Sequence, residues 1–268
     1  ATAGSRCIVK FRSKAELAKW AREAKRLWLF LDYDGTLAEF APTPEVIEAN
    51  PRVIGTLERL VKIPTIRVTV ISGRRLGHVR LLLPITGIFL AGTYGLELLT
   101  PAGETIHRVE YAGIRPTLEV IKPEWELIAD GRKDVYVEDK GWTLALHARF
   151  ADDEVAERAI AQAQQVINQD SLTSDFRMLG GHKFLEIAPR LASKKETVAY
   201  LLNQYPLPDA RLLYIGDDDK DEEAFPVIHA NGGVTAKVFQ PSQASQPTTA
   251  DFFFESPEDT LLWLEELG

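Results

Sequence analysis

The strongest pattern along the chain is the solid apolar run Leu27-Trp28-Leu29-Phe30-Leu31. Five residues are too few for a helix, and no polar position alternates with them. The run therefore predicts a strand buried on both faces, as in the middle of a parallel sheet. Ahead of it, Ser13 to Arg26 opens on a capping-box pattern, Ser13 with Glu16 three positions on, and its apolar residues recur at helical spacing. That stretch predicts a short amphipathic helix. After the strand, Asn50-Pro51 marks another helix start, with Asn as cap and Pro in the first turn. A second buried strand, Ile66 to Ile71, stops at Ser72-Gly73-Arg74, and a helix-like stretch then reaches a third, Ile88 to Ala91. This alternation predicts an α/β, doubly wound, mostly parallel Rossmann-like sheet, whose ligands gather at the carboxyl ends of its strands.

The rhythm breaks over residues 107–189. Asp134 to Glu138 and Trp142 to Arg149 flank the turn Asp139-Lys140-Gly141 and read as an antiparallel hairpin. A long helix with one polar face, Asp152 to Gln169, follows, and then a second strand pair around Phe176 to Met178 and Phe184 to Ile187. An α+β block inside an α/β rhythm predicts an inserted cap domain, with residues 1–106 and 190–268 forming the core. The parallel pattern resumes with a helix from Ser193, the strand Arg211 to Ile215, and strands near Gly233 to Val238 and Asp251 to Phe254. Gln240 to Thr248, rich in Pro, Ser and Gln, reads as a solvated loop.

Composition narrows the classes of function. At 268 residues, 45% hydrophobic and 26% charged, the chain has the make-up of an ordinary globular protein with a sizeable core. The formal net charge of -8 argues against a duplex nucleic-acid binder, which needs a basic face to neutralise phosphates. No run approaches the roughly 18 apolar residues of a membrane span, and Ala1 to Lys10 lacks the apolar centre of a secretory signal. The expected location is the cytoplasm, and the expected state a monomer with neither nucleic-acid nor membrane partners. The single cysteine, Cys7, has no internal disulfide partner and lies outside every motif. Met178 is the only methionine, and the sequence leaves open whether the chain was cut from a longer protein.

The candidate chemistry sits at the strand ends. Asp32-Tyr33-Asp34-Gly35-Thr36 sets two carboxylates at the edge of a buried strand, with a glycine behind them to allow a sharp turn. Gly216-Asp217-Asp218-Asp219-Lys220-Asp221-Glu222 does the same after another. Alone, the first could be a capping turn and the second a solvated acidic loop. Together they point to a shared cation, and Mg2+ prefers such carboxylate and water oxygens. Ser72 offers a hydroxyl, and the amides of Ser72-Gly73-Arg74 follow it, so the segment suits a phosphate oxygen as well as it suits a helix cap. Lys194 lies in Ser193-Lys194-Lys195-Glu196, a capping box, where helix dipole and ammonium both favour an anion.

DYDGT, SGR, the lysine after the insertion and GDDDKDE resemble, in order and over most of the chain, the four motifs of haloacid dehalogenase superfamily phosphatases. The resemblance implies that Asp32 is a nucleophile forming an aspartyl-phosphate and Asp34 the general acid/base. It implies that Ser72 and Lys194 hold the phosphoryl group, and that Mg2+ is bound by Asp32, the Asp34 carbonyl and Asp217, with Asp218 and Asp221 in support. LFLDYDGTLAEFAP, ISGR, VEDKGWTLALHAR, GHKFLEIAP and GDDDKDEEAF further resemble trehalose-6-phosphate phosphatases. That similarity implies a small-molecule sugar-phosphate substrate, trehalose 6-phosphate, with cap residues Lys140, His147, Lys183 and Glu186 facing the sugar. The chain departs from that pattern at Tyr94, Ala148, Ala188 and Lys195, where the family often has His, Tyr, Arg and Gly. Other readings are a phosphatase for glucosylglycerol phosphate, mannosyl-3-phosphoglycerate or sucrose phosphate, a phosphomutase, and a non-catalytic phosphosugar-binding regulator.

Overall fold

A computed structural model describes residues 11–40, 48–168, 175–241 and 246–268. Cys7, Gln169 and part of the Gln240 to Thr248 loop lie outside them. The chain divides into two compact units, Ala1–Ile106 with Ser193–Gly268, and His107–Ala192.

The first unit is built on an eight-stranded sheet. In chain order its strands are β1 (Arg26–Leu31), β2 (Ile66–Ile71), β3 (Phe89–Gly92), β4 (Glu97–Leu99), β5 (Thr105–His107), β10 (Ala210–Gly216), β11 (Val234–Val238) and β12 (Phe252–Phe254), arranged β12-β11-β10-β1-β2-β3-β4-β5. Six of them, from β12 to β3, run parallel, and β4 turns back antiparallel on β3. The solid apolar run of β1 is explained by its central place. Leu27, Leu29 and Leu31 face one core, while Trp28 and Phe30 face the other.

Helices cover both faces. The first core holds residues of α1 (Lys14–Arg22), α2 (Pro51–Val61), α3 (Leu76–Leu82) and α9 (Pro257–Leu267). The second holds those of α6 (Lys194–Gln204) and α8 (Phe225–Ala230). Their starts follow capping chemistry. Ser13, Asn50, Ser193 and Ser256 each accept a backbone N–H of the first turn through the side chain. The predicted lead-in helix ends four residues early, at Arg22, because Arg26 is already committed to β1 and pairs with Ala210. The pair β4 and β5 has no signature in the sequence, because three residues per strand are too few for a visible alternation.

The second unit is a four-stranded antiparallel sheet, ordered β6 (Tyr136–Asp139), β7 (Leu144–His147), β9 (Phe184–Pro189), β8 (Phe176–Gly181), with two helices on one face. α5 (Asp153–Asn168) packs through Ala156, Ala159 and Ala163, and the indole Nε1 of Trp125 donates to the Ala163 carbonyl at 3.2 Å. The other helix, α4 (Tyr111–Ala129), was hidden in the sequence by Pro116 and Pro123, which usually end a helix. Its buried stripe Ile114, Leu118, Ile121, Trp125 holds it together despite the lost backbone bonds.

Candidate active site

Three parallel strands and one helix converge on a cluster at the carboxyl edge of the first unit's sheet. Asp32 continues the β1 ladder by one residue, its N–H donating to Ile215 O at 3.0 Å. The chain then turns on the Tyr33 carbonyl, which accepts from Thr36, Leu37 and Ala38. Gly35, at φ +81°, completes the turn, and a Cβ there would lie 2.3 Å from Asp217 Oδ2. Glycine is what lets the β1 and β10 loops bring their carboxylates together.

Lys194, at the start of α6, is buried between two acids, with Nζ 2.8 Å from Asp32 Oδ1 and 2.7 Å from Asp221 Oδ1. Burial alone would lower its pKa, but Asp221 and Asp32 outweigh that and hold it well above the usual lysine value. Asp221 is saturated. Besides Lys194 it accepts the Tyr214 hydroxyl at 2.7 Å and the Asp217 and Asp218 amides at 3.0 and 3.2 Å. Asp218 caps α7 (Asp219–Glu222), accepting from Lys220 N and Asp221 N, and Lys220 and Lys194 hold its carboxyl below the usual range against the effect of burial.

Asp217 differs from all of these. Both of its carboxylate oxygens are buried without a hydrogen-bond partner. Burial, then Asp218 and Asp32, push its pKa well above the ordinary carboxyl value, and burial likewise raises Asp32. Asp32, Asp217 and Asp221 each offer an oxygen within 4.8 Å of the others. Since Asp221 is already saturated, the Asp32–Asp217 pair is the one left needing a positive charge. A divalent cation with oxygen preference fits that need. Of the metal ligands expected from the sequence, Asp32 and Asp217 are in this cluster. Asp218 is engaged as a helix cap instead, and Asp221 takes its place among the facing carboxylates.

At the end of β2, Ser72 N–H donates to Ala91 O at 2.9 Å, and the Arg74 amide donates to Ser72 Oγ at 3.1 Å. Two of the three loop amides read as phosphate donors are thus spent inside the fold, while the Ser72 hydroxyl keeps a proton to donate. The Arg74 guanidinium grips Asp34 in a fork, Nε to Oδ2 at 2.7 Å and an Nη to Oδ1 at 2.8 Å. Thr93 and Tyr94 both have positive φ, and their amides donate to the Arg74 and Ser72 carbonyls. Where the family often has histidine, the Tyr94 ring lies against Gly73, within 2.9 Å of where its Cβ would stand.

In the second unit, one sheet face packs on the helices and the other gathers polar groups. Lys140 meets Glu186 at 3.0 Å, Thr143 also donates to Glu186, and His147 pairs with Glu138 at 2.8 Å while stacking on Tyr136. Cross-strand pairing of Ala145 with both Glu138 and Glu186 puts these groups on one face. Lys183 is elsewhere, in the β8–β9 turn, with its ammonium on Ala151 O at 2.6 Å and Asp153 at 2.7 Å. It ties down the start of α5. Glu138, Thr143 and Tyr214 were missed as site residues, because only strand register reveals which side chains share a face.

This fold and this cluster define a phosphatase of the haloacid dehalogenase superfamily. The family model described as trehalose-phosphatase matches residues 30–258, and the chain belongs to that family. A probable trehalose-phosphate phosphatase of Sinorhizobium fredii is 30% identical over 86% of this chain and 82% of its own length. A trehalose-phosphate phosphatase of Mycobacterium ulcerans is 30% identical over 85% of this chain, which spans 58% of that protein. Among solved structures, the C-terminal domain of the Candida albicans trehalose-6-phosphate phosphatase shares the fold, with a TM-score of 0.82 at 19% identity over 98% of this chain and 99% of that one.

Proposed function

We propose that the protein is a cytoplasmic, Mg2+-dependent phosphatase that hydrolyses trehalose 6-phosphate to trehalose and phosphate through an aspartyl-phosphate on Asp32. The observation that carries this reading is the buried pair Asp32 and Asp217. One member is held by Lys194, and the other has both oxygens without a hydrogen-bond partner. Relatives named for trehalose-phosphate support the choice of substrate.

In the first step an Asp32 oxygen bonds to phosphorus as the bond from phosphorus to the sugar oxygen breaks, and Asp34 gives its proton to that oxygen. In the second, a water oxygen bonds to phosphorus, its proton passes to Asp34, and the bond to Asp32 breaks, releasing phosphate. The Ser72 hydroxyl and Lys194 hold the phosphoryl oxygens, with Gly73 and Arg74 completing the loop. Asp32, Asp217 and the Asp34 carbonyl would hold Mg2+, which when bound shields the meeting negative charges. Lys140, His147 and Glu186 of the second unit supply the sugar selectivity. A regulator without catalysis is disfavoured, because a binder has no use for both a nucleophile and a proton donor at one phosphate.

The test is to trap the intermediate. After acid quench during turnover of trehalose 6-phosphate, the peptide containing Asp32 is expected to carry one phosphoryl group, which is lost in Asp32→Asn together with turnover. Turnover without that adduct, or wild-type rates in the variant, would contradict the covalent route.

A further inference from the structure

We infer that Arg74 is the positioning residue of the reaction: it aims the proton-handling carboxylate of Asp34 and the hydroxyl of Ser72, and its guanidinium does not bind the substrate phosphate. The inference rests on the phosphatase reading above and revises one part of it.

The geometry is specific. The two forked bonds to Asp34, at 2.7 and 2.8 Å, use both carboxylate oxygens and both planar groups, and a fork of this kind fixes a direction as well as a distance. The side chains are 10% and 22% exposed, so water competes little with the bond. The base of the side chain is pinned too. The Arg74 N–H donates to Ser72 Oγ at 3.1 Å, and its carbonyl accepts the Thr93 N–H at 2.7 Å. One residue therefore touches two of the groups assigned to chemistry, the proton carrier through its guanidinium and the phosphate-holding hydroxyl through its amide. With Ser72 Oγ already accepting, the serine proton is directed away from the chain and toward an anion.

The fork holds the Asp34 carboxylate turned in one direction through both of its oxygens. A lysine would keep the charge without serving both oxygens.

The experiment compares wild type, Arg74→Ala and Arg74→Lys by steady-state kinetics with trehalose 6-phosphate and by inhibition with inorganic phosphate. The expected result is a fall in kcat of about 10- to 100-fold in both variants, less than the 10²–10⁴-fold that a general acid/base supplies, because Asp34 itself is still present. KM and the phosphate inhibition constant should stay within about threefold of wild type, because the effect lies on Asp34. Millimolar guanidinium should restore part of the lost kcat in Arg74→Ala and leave Arg74→Lys unchanged. Should Arg74→Ala fail to fold, Arg74→Lys still carries the kcat test. The inference is overturned if kcat is retained while KM and the phosphate inhibition constant rise tenfold or more, which would make the guanidinium a phosphate ligand. It is equally overturned if guanidinium rescues nothing. Wild type that releases phosphate from no ester would instead sink the underlying phosphatase reading.

Discussion

At the scale of single residues, what distinguishes this site is how differently five neighbouring acids are used. Asp34 is gripped by Arg74, Asp218 caps a helix, and Asp221 accepts from Lys194, Tyr214 and two amides. Asp32 and Asp217 are left facing one another. The motif letters announced an acidic site, but not this division, since hydrogen-bond saturation is a property of the folded loop. The same limit applies to Glu186. Its sequence context suggested a group facing a sugar, whereas the carboxylate is fully buried and holds Lys140 and Thr143. Glu186→Gln is expected to act through Lys140 and to lower kcat/KM for trehalose 6-phosphate by about 10-fold, the scale of one charge-assisted hydrogen bond of ~1.5–3 kcal/mol. Hydrolysis of p-nitrophenyl phosphate should fall far less. Equal losses on the two substrates would make Glu186 a structural residue.

At the scale of elements, the site depends on how tightly two strand-end loops approach. The strands were legible because β1 and β10 carry apolar runs on both faces and β2 is rich in β-branched residues, and the helix starts because Asn50 and Ser193 are strong caps. α4 was illegible because tertiary burial of its apolar stripe overrides two prolines, and β4 and β5 because three residues carry no period. The loop contact yields a sharp prediction at Gly35. Alanine would have to keep φ near +81° with its Cβ 2.3 Å from Asp217 Oδ2, so either the turn or the aspartate must move. The left-handed backbone alone costs about 1–2 kcal/mol, and the clash adds to it. Gly35→Ala is expected to lower Tm by at least about 2 °C and to abolish most activity. Thermal melts and turnover measured together check this, and a variant with wild-type turnover would show that the approach of the two loops is not required.

At the scale of the whole molecule, charge and cation binding link stability to pH. Asp32 and Asp217 have folded pKa values raised above the unfolded value of 3.8, chiefly by burial. Such groups favour the fold fully below the unfolded pKa, and their contribution is lost as pH rises through the folded one. From this site the metal-free protein therefore loses stability as pH rises above about 4. A cation that binds the ionised pair reverses the loss, so the rise in Tm on adding Mg2+ should be larger at about pH 7.5 than at about pH 5. Asp217→Asn should remove most of that difference. A rise in Tm of the same size at both pH values, or one unchanged in Asp217→Asn, would place the cation elsewhere.

The proposed reaction is removal of phosphate from trehalose 6-phosphate with the help of Mg2+. The direct measurement is inorganic phosphate released by the purified protein from a panel containing trehalose 6-phosphate, sucrose 6-phosphate, glucosylglycerol phosphate, mannosyl-3-phosphoglycerate and glucose 6-phosphate. Each substrate is assayed with Mg2+ and with excess chelator. kcat/KM is expected to be highest for trehalose 6-phosphate, and release is expected to stop in chelator. Preference for another sugar phosphate would contradict the substrate, and full activity in chelator would contradict the metal site.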